Sequence, residues 1–146
     1  MVNEFSRTEL LLGAEGIATL RNAKVMVFGV GGVGSHCIEA LARCGVGKLV
    51  LIDNDTVSMT NINRQSIAYH STIGRHKTEV MKQRIADICP ETRVVTYERF
   101  IGRDNLDDIL ADVEKKAQIS LDGKVPYTLR DKVVDGKLYV DQGIIA

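Results

Sequence analysis

The segment that most restricts the fold is "KVMVFGVGGVGSHCIEALARCGVGKLVLIDND", residues 24–55 of a 146-residue chain. "KVMVFG" at 24–29 is β-branched and apolar on both faces, as a strand buried inside a parallel sheet must be. Residues 35–43 then place Cys37, Ile38, Leu41 and Ala42 on one helical face, and Gly45 stands where a helix-terminating glycine belongs. "KLVLID" at 48–53 is a second apolar strand, reached after a helix long enough for a right-handed crossover. Together these make a βαβ unit. The expected class is α/β and Rossmann-like: a mainly parallel sheet of at least three strands with flanking helices.

Between the first strand and its helix lies "GVGGVG" at 29–34, and Asp53 follows about 20 residues on, the context in which such glycines seat a phosphate chain. Each position has a physical reason. Gly29 permits the tight turn, Gly31 and Gly32 let backbone N–H groups approach an anion, and Gly34 lets the helix pack close to the strand. Asp53, at the end of the second strand, is placed to accept hydrogen bonds from a ribose hydroxyl.

The rest of the chain extends this unit. Residues 8–21 space Leu10, Leu11, Ile17 and Leu20 as a helix would, with Gly13 and Gly16 favouring two short helices over one. The polar loop 54–71 is long enough to suggest a function of its own. A helix over about 75–88 buries Val80, Met81, Ile85 and Ile88 and ends before Pro90. "RVVTYERF" at 93–100 reads as a third strand, and Asp104 caps a helix to about 117 with Leu106, Ile109, Leu110 and Val113 inward. Residues 1–118 therefore form one α/β domain. Residues 119–146 form a tail, not a second domain, whose Asp122-Gly123 and Asp135-Gly136 pairs signal β-hairpins.

Composition narrows the partners. The 19 basic and 19 acidic residues cancel, so no global charge attracts nucleic acid or an anionic membrane. No apolar run reaches the roughly 18 residues that span a bilayer, and the N-terminus lacks a signal-peptide pattern; a cytoplasmic location without membrane contact is the expectation. Three cysteines, Cys37, Cys44 and Cys89, without a CxxC pair, argue against a disulfide framework or a tetrathiolate zinc site. Cys37 and Cys44 are expected as buried small hydrophobes.

A dinucleotide cofactor such as NAD is the commonest occupant of this glycine pattern, and the residues beyond Asp53 weigh against it. "NDTVSMTNINRQS" and "GRHKTEV" supply Arg64, Gln65 and Lys77. A redox cofactor keeps its pyrophosphate whole, whereas cleaving a triphosphate develops charge that Arg and Lys must stabilise. Spacing alone leaves Arg64 and Lys77 equally readable as surface charges, although a lysine opening a helix opposes the macrodipole. No GxxxxGK[ST] loop is present, which argues against a P-loop nucleotidase.

Taken together, "GVGGVGS", "LIDNDTVSMTNINRQ" and "GRHKTEV" resemble the E1-like superfamily of carboxylate-adenylating enzymes, the group of ThiF, MoeB and the ubiquitin-activating enzymes. "FSRTELLLGAEGIATLRNAKV" and "CPETRVVTYERFIGRDNL" are most similar to its branch of bacterial tRNA threonylcarbamoyladenosine dehydratases; the resemblance covers about residues 5–112. It implies ATP with its phosphates over Gly29, Gly31, Gly32 and Gly34 and its ribose on Asp53, Asp55 nearby, and Asn61, Arg64, Gln65 and Lys77 around the phosphates, with Mg2+ as cofactor. It implies attack of a carboxylate on the α-phosphorus. In the dehydratase branch the carboxylate belongs to the threonylcarbamoyl group on adenosine 37 of tRNA; in a second branch it is the C-terminus of a ubiquitin-like sulfur-carrier protein. Arg7 matches an arginine that reaches the partner's site in family dimers, which implies a homodimer.

The chain also departs from the family pattern. Members continue after the third strand with a fourth whose "VxDAxD" aspartate holds magnesium; here "VVDG" stands at 133–136, leaving Asp135 as the metal candidate among residues that read as hairpins. The resemblance thus implies a chain truncated or divergent from about Gln118, and a nucleotide-binding remnant without activity stays open beside the enzyme. In the order 3-2-1-4 the first strand would keep a bare edge, which demands a substitute partner. The expectation is that a tail strand, "KLYV", covers it.

Overall fold

The computed structural model describes residues 2–102 and 104–117, together with the backbone of 133–134, 137–138 and 143–145. Its elements run α1 (Ser6–Asn22), β1 (Lys24–Phe28), α2 (Gly34–Arg43), β2 (Lys48–Ile52), α3 (Lys77–Ile88), β3 (Arg93–Tyr97), α4 (Leu106–Ala117), β4 (Val133–Val134), β5 (Lys137–Leu138) and β6 (Gly143–Ile145).

The main sheet has the order β3-β2-β1-β6. β1 and β2 pair in parallel from Lys24↔Lys48 to Phe28↔Ile52, and β2 and β3 from Lys48↔Arg93 to Ile52↔Tyr97. Both faces are covered. Val25, Val27, Leu49 and Leu51 pack with Ile38 and Ala42 of α2 and Val80, Met81 and Ile85 of α3. The alternate residues Met26, Phe28, Val50 and Ile52 pack with Leu106, Ile109, Leu110 and Val113 of α4. The period-2 alternation of strand side chains sends successive residues to opposite cores, so a strand apolar on both faces is what this architecture needs. Each fully buried aliphatic side chain here contributes about 1.5–3 kcal/mol.

Gly45 does end α2, at φ 82°. The amide of Val46 donates to the Leu41 carbonyl and that of Gly45 to the Ala42 carbonyl, the paired bonds of a Schellman motif, which an L side chain at Gly45 would strain. A Cβ there would also lie 2.8 Å from the Phe5 ring.

Several expectations change. Gly13 sits at φ 72° and breaks α1 into two helices, as expected, but the apolar spacing does not run in phase across it: Ile17 is buried, whereas Leu10 and Leu11 are 85% and 87% exposed. Of the cysteines only Cys89 is buried; Cys44, at the end of α2, is exposed and Cys37 half-buried. β3 stops at Tyr97, whose carbonyl takes the Asp53 amide; β2 has turned away by then, and Glu98, Arg99 and Phe100 are left as loop. α4 begins after Asn105, not Asp104: the Asn105 carbonyl accepts the Ile109 amide.

The bare edge of β1 is covered by the tail, as expected, but by another segment. β6 pairs antiparallel with β1, Met26↔Ile145 to Phe28↔Gly143, while Lys137–Leu138 of "KLYV" pairs with β4. β4 and β5 pair antiparallel, Val133↔Leu138 and Val134↔Lys137. The Asp122-Gly123 hairpin and Asp135 lie outside the described residues.

Candidate functional site

A cavity of about 760 Å³ opens at the carboxyl ends of β1, β2 and β3, where open α/β sheets place their ligands. Three loops build it, one from each strand.

From β1 come Phe28, Gly29, Gly31, Gly32 and Val33. Gly29 stands at φ 90°, a conformation that L side chains rarely adopt, and its amide donates to the Ile52 carbonyl at 2.7 Å. Gly32 sits against Arg64: a Cβ there would meet Arg64 Cδ at 3.3 Å, so that side chain would have to give by a few tenths of an ångström. Gly34, the first residue of α2, is buried behind this loop and does not line the cavity.

β2 ends in Asp53, whose carboxylate joins two loops. Its Oδ2 accepts the Val30 amide at 2.7 Å and its Oδ1 the Asp55 amide at 2.8 Å. Each oxygen keeps a further lone pair. Asp55 in turn accepts the Lys77 ammonium at 3.0 Å on its Oδ2. Lys77 is 5% exposed, so the charge that opens α3 against the macrodipole has a carboxylate partner.

The segment after β2 folds back over the glycine loop through a 3-10 turn at Met59–Asn61. Asn61 and Gln65 are buried and line the cavity; Asn61 Oδ1 accepts the Ser58 amide at 3.0 Å. Gln65 Oε1 is buried with no hydrogen-bond partner, a cost that a ligand with a donor group would remove. The Arg64 guanidinium donates to the Thr60 carbonyl and to Asn63 Oδ1. Ser35, fully buried just beyond the glycines, accepts the Ser66 amide on its hydroxyl and pins this segment to α2.

The third wall is Arg99, Phe100 and Ile101, two strand spacings or roughly 10 Å from the glycine loop. Asn105 braces it, accepting the Gly102 amide and donating to the Phe100 carbonyl, both at 2.8 Å. Glu98 faces His76, the residue before α3, across 3.6 Å with both side chains half exposed.

Behind the site, Glu39 of α2 accepts from Arg43 and from Arg84 of α3 at 2.9 Å. Burial by itself would raise the Glu39 carboxyl; the Arg43 hydrogen bond and the Arg84 charge outweigh it and hold Glu39 below the ordinary carboxylate range.

The cavity thus gathers Gly29, Gly31, Gly32, Asp53, Asp55, Asn61, Arg64, Gln65 and Lys77 from residues far apart in sequence. Arg7 is not among them; it is exposed on the first turn of α1. The cavity adds Phe28, Val33, Ile52, Asn54, Arg99, Phe100 and Ile101, which the motifs did not mark. Position could have found the last three, since they follow a predicted strand at its ligand-facing end. Among the described residues no three His, Cys, Asp or Glu side chains converge to hold a metal ion, and no helix is long and apolar enough to cross a membrane.

Fold and site define a Rossmann-like α/β domain with a glycine-loop pocket reinforced by an arginine and a lysine. Residues 5–119 match the ThiF family, and the chain belongs to it. It is 54% identical over 100 residues to the tRNA threonylcarbamoyladenosine dehydratase of Bacillus subtilis, covering 68% of this chain and 39% of that protein. It is 37% identical over 102 residues to the adenylyltransferase and sulfurtransferase UBA4 of Candida glabrata, covering 70% of this chain and 24% of that one. Among solved structures it is similar to Escherichia coli tRNA N6-threonylcarbamoyladenosine dehydratase, TcdA, in complex with ATP, with a TM-score of 0.72 and 42% identity, covering 74% of this chain and 44% of the other. The chain therefore spans about two fifths of the length of the dehydratases it matches.

Proposed function

We propose that this chain binds ATP and activates a carboxylate by adenylation, the carboxylate being that of the threonylcarbamoyl group on adenosine 37 of tRNA. The observation that carries the reading is one cavity that joins the glycine loop, a ribose-type acid at the end of β2, and the cations Arg64 and Lys77. The phosphates lie over Gly29, Gly31 and Gly32 at the start of α2, where helix N-terminal amides favour anions. Gly34 gives that helix its close approach, and Asp53 takes the ribose. Asn61, Arg64, Gln65 and Lys77 surround the phosphates.

A carboxylate oxygen attacks the α-phosphorus, the bond from that phosphorus to the bridging oxygen breaks, and pyrophosphate leaves. Negative charge grows on the leaving group, and Arg64 and Lys77 stabilise it most in the transition state. The acyl-adenylate then closes into a ring with release of AMP, a net loss of water from the modified nucleoside. Mg2+ bound with the nucleotide would supply charge neutralisation, and Asp135 is the candidate among this chain's residues to hold it.

Arg7, on the exposed first turn of α1, serves a partner copy, which makes the working unit a homodimer in the cytoplasm. The similarity to UBA4 favours a second reading, adenylation of a sulfur-carrier protein's C-terminus with a sulfur-transfer partner. The test is ATP–pyrophosphate exchange. Exchange that depends on threonylcarbamoylated tRNA supports the first reading, and dependence on a carrier protein supports the second. ATP binding without exchange in either case leaves a nucleotide-binding fragment and overturns both.

A further inference from the structure

Asp55 grips Lys77 twice. Its carbonyl oxygen accepts the Lys77 amide at 3.1 Å and its carboxylate accepts the Lys77 ammonium at 3.0 Å. The two ends of this grip differ in exposure: the Lys77 side chain is 7% exposed and that of Asp55 61%. The ammonium therefore lies inside the cavity and the acid on its rim.

The grip continues into the glycine loop. Asp55 gives its own amide to Asp53, and Asp53 takes the Val30 amide on its other oxygen. Val30, Asp53, Asp55 and Lys77 form one chain of hydrogen bonds from the turn that precedes α2 to the first residue of α3.

We infer that Asp55 is a positioning residue that acts through Lys77, aiming its ammonium at the phosphates rather than contacting the nucleotide itself. This rests on the role of Lys77 proposed above. An ammonium has three donors and a flexible four-carbon stem. One donor bound to Asp55 fixes its direction and leaves two for phosphate oxygens. Without that partner the buried charge loses its compensation, and the helix terminus and the desolvated surroundings both work against it. A free lysine would still bind phosphate in some orientations, so the loss falls on the transition state, where placement matters most.

The test is a double-mutant cycle of Asp55→Asn and Lys77→Ala in the full chain, read by ATP–pyrophosphate exchange with threonylcarbamoylated tRNA and by ATP titration. Asp55→Asn should lower kcat about tenfold or more with KM for ATP changed less than about threefold, and Asp55→Glu, which keeps the charge, should recover part of the loss. On the Lys77→Ala background Asp55→Asn should cost less than about twofold further, because a residue acting through another is silent once that other is gone. Additive losses would overturn the inference, as would an equal loss of ATP affinity. If the parent protein shows no exchange, the proposed function fails and this inference falls with it, a result distinct from additivity among active proteins. If Lys77→Ala alone changes neither reading, the proposed role of Lys77 fails; that result is distinct from additivity.

Discussion

The cavity has two unlike sides. On the glycine side, charges and amides close a chain of hydrogen bonds of 2.7 to 3.0 Å through Val30, Asp53, Asp55 and Lys77. On the β3 side, Phe100 is 53% exposed, Glu98 and His76 stand 3.6 Å apart near the surface, and Asn105 supplies two backbone bonds. The first side is assembled before any ligand arrives, so its groups spend little further entropy when a phosphate binds. The second holds fewer such bonds and a more exposed aromatic ring. Under the proposed function, catalysis falls to the first side and adaptable grip to the second.

The strongest way to break the contrast is to remove what both sides stand on. Leu51, fully buried in β2 between α2 and α3, should cost about 2–5 kcal/mol as Leu51→Ala, and denaturant unfolding should show one cooperative loss for the whole domain. Next comes the assembled side alone. Asp53→Ala removes the acceptor of two amides and should cost about 1–3 kcal/mol, with ATP affinity falling in the same protein; retained stability would mean the hydrogen-bond chain is not what holds this side together.

Asn105→Ala strikes the other side. It should cost about 1 kcal/mol, and hydrogen exchange should quicken at 100–102 while the amide of Val30 keeps its protection. Glu39→Gln, behind the assembled side, should cost at most about 1 kcal/mol. The folded Glu39 carboxyl is held below its usual 4.5, so its contribution is present above that pH and is lost as pH falls through the folded value. The variant should therefore lose less stability than the parent protein between about pH 5 and 3. Smallest of all, Phe100→Ala should leave stability within about 0.5 kcal/mol and change nucleotide affinity alone.

The same contrast explains what the sequence could tell. Position-fixed residues were legible: Gly29, Gly31, Gly32, Asp53, Arg64, Gln65 and Lys77 meet in one cavity, while Gly34 lies behind it. The α/β class was legible too, since a strand buried on both faces and the helix after it leave little choice of architecture. The β3 side was not, because a strand's end depends on where its neighbour turns away. Nothing in "RVVTYERF" marks where the strand ends, yet the ladder stops at Ile52↔Tyr97. Leu10 and Leu11 misled for a related reason: their spacing matches Ile17 and Leu20, but Gly13 resets the phase. The tail's covering strand was foreseeable from the bare edge of β1. Which residues supply it depended on pairing that no local pattern encodes.

In the proposed function the assembled side works on the transition state of adenylyl transfer. The most direct measurement sets ATP affinity beside the rate of ATP–pyrophosphate exchange for Arg64→Ala and Lys77→Ala. The account predicts an exchange rate reduced about a hundredfold or more with affinity within about tenfold, the signature of an interaction made chiefly in the transition state. Equal losses in affinity and exchange would make these cations uniform binders of phosphate and contradict the claim.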